Sequence, residues 1–145
     1  MSTDATARER PSADGPSSVL AAVANEMVRL YKEQFGRGPT KARADWCGED
    51  TLCVTLDDTL TPAERNLAAL GEHERLRETR MFFQYSSVRE FCEPVERIVG
   101  RKVRAFCSGM DAEVGGLSIE SFVFYPRGHQ DDGPSRTELV PPPVR

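Results

Sequence analysis

The stretch Thr51-Leu52-Cys53-Val54-Thr55-Leu56-Asp57-Asp58-Thr59-Leu60-Thr61-Pro62-Ala63-Glu64 holds two local signals that decide the fold. From Thr51 to Leu56 polar and apolar residues alternate, the period of a strand with one buried face, which assigns Leu52, Val54 and Leu56 to the core. A few residues later Thr61 can cap a helix, Pro62 fits the first helical position, where an amide has no partner anyway, and Glu64 completes a capping box. A half-buried strand giving way to a capped helix points to an α+β domain in which a helix layer covers one side of a sheet.

Upstream, Lys41 to Cys47 reads as a second strand, joined to the first through Gly48-Glu49-Asp50 as a hairpin. Its register is open: a two-residue turn sets Cys47 opposite Leu52, and a three-residue turn pairs Trp46 with Leu52 and sends Cys47 to the other side. Before it, Leu20, Val23, Ala24, Met27, Leu30, Tyr31 and Phe35 recur at helical spacing, with Ser17 or Ser18 as the cap and Gly36 as the stop.

Downstream, the helix opened by Pro62 is expected to reach about Ala69 and break near Gly71. It resumes as a longer helix to Val99, with an apolar stripe of Met81, Tyr85, Val88, Cys92, Val95 and Val99. Pro94 removes a backbone donor inside that stripe, which predicts a kink or restart around Phe91 to Glu93. Lys102 to Cys107 and Leu117 to Tyr125 form a second hairpin around a loop carrying Gly109, Gly115 and Gly116. The order α-β-β-α-α-β-β predicts a two-layer α/β sandwich, a four-stranded, mainly antiparallel sheet with its helices on one face. A helix followed by two strands occurs twice, a hint of pseudo-symmetry. An apolar outer sheet face would call for a second copy of the chain, so a homodimer is expected.

The expected domain spans residues 17–126. Residues 1–16 and the Pro-rich 127–145 lack apolar periodicity and are expected to be disordered tails. A length of 145 residues, with 39% hydrophobic and 29% charged, suits one globular domain. No apolar run is long enough to cross a bilayer and the start lacks the apolar stretch of a signal peptide, which predicts a cytoplasmic protein. A net charge of −4 argues against nucleic-acid binding.

Cys47, Cys53, Cys92 and Cys107 have no CxxC spacing, and His73 and His129 are the only histidines, so reduced structural thiols are expected, with no metal and no cofactor. His73 lies in the solvated run Glu72-His73-Glu74-Arg75, and Asp57-Asp58 and Asp131-Asp132 are adjacent pairs in turn-like segments. None has the setting of a catalytic centre. No enzymatic activity is expected.

Two basic groups remain as candidate binding residues. Gly36-Arg37-Gly38-Pro39-Thr40-Lys41 is glycine-rich and basic, yet it follows a helix where a phosphate loop precedes one. Arg37, Gly38, Lys41 and Arg43 lie ahead of or in the first hairpin, and Arg101, Lys102 and Arg104 ahead of or in the second. If the two hairpins set these strands side by side, the cations form one patch able to dock an acidic protein loop or lipid headgroups.

The segments Glu26-Met27-Val28-Arg29-Leu30-Tyr31-Lys32-Glu33, Gly36-Arg37-Gly38-Pro39-Thr40-Lys41-Ala42-Arg43, Leu60-Thr61-Pro62-Ala63-Glu64 and Val99-Gly100-Arg101-Lys102-Val103 together resemble the MpsC-type family. That family, formerly a domain of unknown function, is named for a component of a sodium-translocating, membrane-potential-generating system. The chain departs from the family's pattern in the loop Ser108 to Gly116, which opens Ser108-Gly109-Met110-Asp111 in place of a more polar stretch. The resemblance implies a non-catalytic accessory protein that binds a protein partner at the cytosolic face of a membrane ion-translocating complex. It would be held at the inner membrane through that partner, without insertion. A rival reading, a small-ligand or redox-responsive binding protein, rests on the four thiols and on Trp46, Phe82, Phe83 and Tyr85.

Overall fold

A computed structural model describes residues 16–139. The expected N-terminal tail lies outside these residues, apart from Pro16, which already opens the first helix. That helix, α1, spans Pro16–Phe35 and starts just ahead of the expected serine cap, since proline is well suited to a first helical turn. It is followed by β1 (Lys41–Trp46), β2 (Thr51–Asp57), α2 (Pro62–Ala69), α3 (His73–Ser86), α4 (Val88–Val99), β3 (Val103–Asp111) and β4 (Leu117–Phe124). No described helix is long and apolar enough to cross a membrane.

The sheet has the order β1-β2-β4-β3 with every neighbouring pair antiparallel. The two hairpins therefore meet through their second strands, and β1 and β3 form the two edges. Trp46 pairs with Leu52, and Cys47 donates its amide to the Thr51 carbonyl across the three-residue turn, which settles the register. Leu52, Val54 and Leu56 are all fully buried, as their alternation requires. They join Phe106, Phe122 and Phe124 from the other strands and Val23, Met27, Tyr31, Val88, Phe91 and Val95 from α1 and α4 in one apolar cluster.

The capping box forms as read: Thr61 Oγ1 accepts from the Glu64 amide, and Glu64 Oε1 accepts from the Thr61 amide at 2.9 Å. The break in the long helix, by contrast, falls at Ser87 and not at Phe91 to Glu93. Ser87 leaves helical geometry, with φ −110° and ψ 25°, and α4 then runs straight through Pro94. The expected stripe fails at the same place. On α3 the buried residues are Leu76, Arg80 and Gln84, whereas Phe82, Phe83 and Tyr85 are exposed. Restarting at Ser87 re-aims α4, so that Val88, Phe91, Cys92 and Val95 meet the sheet while α3 turns a polar face inward.

Two further boundaries differ from expectation. β3 continues through Ser108-Gly109-Met110 to Asp111, pairing up to Leu117, so residues 108–111 of the expected glycine loop are strand and only 112–116 turns. At that turn Gly116 has φ +78°, and a Cβ there would run into the Leu60 side chain, so both backbone and packing demand glycine. Residues 140–145 of the expected C-terminal tail lie outside the described residues; from Pro126 to Leu139 the chain does not leave the domain as a free tail. Ser135 is buried and its hydroxyl donates to both oxygens of Glu96, at 3.0 and 2.9 Å. Lys102 Nζ donates to the Gly133 carbonyl and Tyr125 Oη to that of Pro134. These partners are polar, so a search for apolar periodicity does not detect them.

Candidate functional site

The predicted basic residues do not form one patch. β1 and β3 are opposite edges of the sheet, and the hairpin register sets their starts at opposite ends: Lys41 pairs with Asp57, whereas Val103 pairs with Phe124 beside Asp50. The two groups occupy diagonal corners, as the paired hairpins related across β2 and β4 require.

At the first corner Arg37 is committed to the fold, donating to the Leu60 carbonyl at 2.7 Å and to Asp58 at 3.1 Å. Arg65 reaches the other Asp58 oxygen at 2.9 Å, and Arg37 foremost holds the Asp58 carboxyl below its ordinary range. These cations steady Asp58 at φ +55°, a left-handed backbone that asparagine and aspartate tolerate better than most side chains. A Cβ at Gly38 would come within 3.4 Å of the Val28 side chain. Lys41 and Arg43 are exposed on β1, and Arg43 pairs with the exposed Asp45. Lys41 and Arg43 border a depression of about 440 Å³ with Thr55, Asp57 and Leu117.

At the second corner Arg101 is buried. It donates to Asp50 at 2.6 Å and to the Glu49 and Tyr125 carbonyls, with Phe124 beneath its guanidinium. Lys102 ties down the 127–139 segment, and Arg104 stands exposed at a bulge in β3. Of the cations singled out by sequence, Lys41, Arg43 and Arg104 are the exposed ones.

The structure also builds a site that the sequence reading missed. Four core-facing positions of β4 alternate as Ser118, Glu120, Phe122 and Phe124, so one half of the strand is apolar and the other polar. Glu120 is fully buried. Its Oε1 accepts from Tyr31 Oη at 2.5 Å and from Gln84 Nε2, which also donates to Tyr31 Oη at 2.7 Å. Next to this triad Arg80 of α3, also buried, donates to Glu64 at 2.8 and 2.9 Å and to the Thr59 carbonyl. The guanidinium carbon lies 3.8 Å from the centre of the Phe35 ring. Thr59 Oγ1 continues the chain to Ser118, 2.9 Å away.

Burial is the largest influence on Glu120 and pushes its carboxyl up to about 7, against the opposing pull of Tyr31, Ser108, Arg80 and Gln84. Burial, then the Glu120 charge, raises Tyr31 well above its ordinary value. Burial also acts to raise Glu64, but Arg80 and the Thr61 amide outweigh it and leave that carboxyl below its ordinary range. Four buried atoms of the cluster have no hydrogen-bond partner among the described residues: Glu120 Oε2, Gln84 Oε1, Arg80 Nη1 and Ser108 Oγ. The signal was present in the Ser-x-Glu-x-Phe-x-Phe alternation, which places a carboxylate on the inward face of a strand.

The remaining candidates do not converge. Trp46 packs on Phe124 at the hairpin, whereas Phe82 and Phe83 are exposed on α3, against each other, and Tyr85 packs on Phe106. Contact with the Cys53 thiol, then partial burial, raises the exposed Cys47 thiol, and burial pushes Cys92 up to about 12, a direction that makes thiols less reactive. His73 opens α3 with Nδ1 buried and unpartnered. The described residues contain no group of three or more His, Cys, Asp and Glu placed to hold a metal.

No curated protein and no solved structure matches this chain. The family model described as Na+-translocating membrane potential-generating system (MpsC) does, over residues 17–124, from the first turn of α1 to the end of β4. With that match covering the helix layer and all four strands, the chain belongs to the MpsC family.

Proposed function

We propose that this protein is a non-catalytic accessory module of a cation-translocating, membrane-potential-generating system, working by binding another protein. The observation that carries the reading is family membership across the whole sheet and helix layer. The docking surface on this reading is the open sheet face at the β1 corner. No described helix covers that face, and Lys41 and Arg43 project there beside the depression lined by Thr55, Asp57 and Leu117. Exposed cations of this kind steer an acidic partner and cost little stability when changed. Arg104 stands at the diagonal corner and is not part of this surface.

The test is copurification with the membrane-embedded subunits of such a system, wild type against the Lys41→Glu, Arg43→Glu double variant. Wild type is expected to be retained and the variant lost. Equal retention removes the β1 corner as the docking surface, and failure of wild type to be retained removes the accessory role. The redox-responsive alternative gains no support at Cys47, whose thiol is raised by contact with Cys53, or at Cys92, whose thiol is raised by burial.

A further inference from the structure

α3 is attached to the domain differently from the other long helices. α1 and α4 lie in the main apolar cluster, to which α3 contributes no buried residue. Its inward face is Leu76, Arg80 and Gln84. Leu76 belongs to a small separate cluster with Leu60 and Ala112, so the docking of its second half onto the sheet rests on polar contacts around Glu120, helped by the half-exposed Tyr85 ring on Phe106.

Those contacts are incomplete in a specific way. A carboxylic acid and a primary amide pair side by side through two hydrogen bonds. One of them, Gln84 Nε2 to Glu120 Oε1, is present. The two atoms left over, Glu120 Oε2 and Gln84 Oε1, are buried and unpartnered, and both are acceptors while the carboxyl is ionised. A proton on Oε2 supplies the missing donor.

We propose that Glu120 is a proton-operated latch for α3: with its proton it clasps Gln84 and holds the helix on the sheet, and loss of the proton loosens that helix. The groups around Glu120 favour this behaviour. Tyr31 faces it from α1, Arg80 from α3 and Cys92 from α4, while neighbouring β2 contributes the apolar Val54 and β3 contributes Ser108, a neutral hydroxyl, itself without a partner, that opposes the upward push of burial without supplying a charge. Arg80 is the one cation among them, and it is already engaged by Glu64 of α2 and the Thr59 carbonyl. Arg80 Nη1 is left without a partner yet makes no hydrogen bond to Glu120, so an ionised Glu120 gains only attraction at a distance from that cation, and opening the α3 seam to water is its route to solvation. This latch does not rest on the accessory role, and its failure would leave that role untouched.

Hydrogen exchange of α3 amides in the full chain, corrected for intrinsic rates, tests it. A carboxyl titrating near 7 when docked and near its ordinary 4.5 when open implies about tenfold more opening at pH 8 than at pH 6. Glu120→Gln carries the extra donor at every pH and is expected to stay closed across that range, with α1 and α4 unchanged. A flat wild-type profile overturns the latch, as does the same rise in the variant. Should the variant not fold, carboxyl 13C titration of wild type decides: a Glu120 midpoint that tracks α3 opening supports the latch, and one near 4.5 overturns it.

Discussion

Tyr31 and Glu120, 89 positions apart, share a 2.5 Å hydrogen bond in the interior, the tyrosine hydroxyl donating to the carboxylate. Through it α1 and β4 are joined by a polar contact inside an otherwise apolar layer, and Gln84 and Arg80 bring α3 to the same point. Much of what can be measured on this protein follows from that junction.

Stability should fall as pH rises through neutrality. Glu120 has a folded-state value of about 7, above its ordinary 4.5, so its contribution is complete below 4.5 and is lost as pH climbs through about 7. At roughly 1.4 kcal/mol per pH unit that interval amounts to about 3 kcal/mol. Urea unfolding at pH 5 and pH 8 checks this: Glu120→Gln should match wild type at pH 5 and exceed it at pH 8. A variant with no advantage at pH 8 contradicts the assignment.

Arg80 should be intolerant even of lysine. Its fork spans both Glu64 oxygens and the Thr59 carbonyl while its plane rests on Phe35, a combination one ammonium cannot reproduce. Arg80→Ala leaves partly buried Glu64 without its counter-charge and should cost about 3–5 kcal/mol in chemical denaturation, with Arg80→Lys recovering only part of it.

The basic residues should separate into two classes. Arg101→Ala removes a buried cation that holds Asp50 and two carbonyls and should lower stability by about 3 kcal/mol. Lys41→Glu and Arg43→Glu, both on exposed side chains, should stay within about 0.5 kcal/mol of wild type. Similar losses in all three would contradict the division.

Deleting residues 127–145 should destabilise the domain. The deletion strips Glu96 of both Ser135 contacts and Lys102 of Gly133, at about 1 kcal/mol net for each hydrogen bond. A melting temperature equal to that of the full chain would show that the segment is dispensable.

Native thiol titration should find no fast-reacting cysteine. Cys47 and Cys107 are exposed, Cys53 is half-buried, and Cys92 is buried with its thiol pushed up to about 12. Cys92 should react only on unfolding, and Cys47 more slowly than free cysteine at neutral pH. A burst faster than free cysteine would revive a redox role.

By itself the sequence determined the elements and the layer they form. Alternation at Leu52, Val54 and Leu56, the capping box at Thr61 and Glu64, and the stop at Gly36 are signals between residues a few positions apart, and the chain obeys them locally. Tertiary structure decided whatever depends on partners distant in the chain. It placed β1 and β3 at opposite edges, which separated the two basic groups, and it drew 127–139 onto Glu96 and Lys102. It also turned α3 so that Arg80 and Gln84, polar residues on a polar-looking helix, became interior. Burial of a charged side chain is stable only where another part of the fold supplies its hydrogen bonds. The position of Glu120 therefore became intelligible only once Tyr31, Gln84 and Arg80 were brought around it.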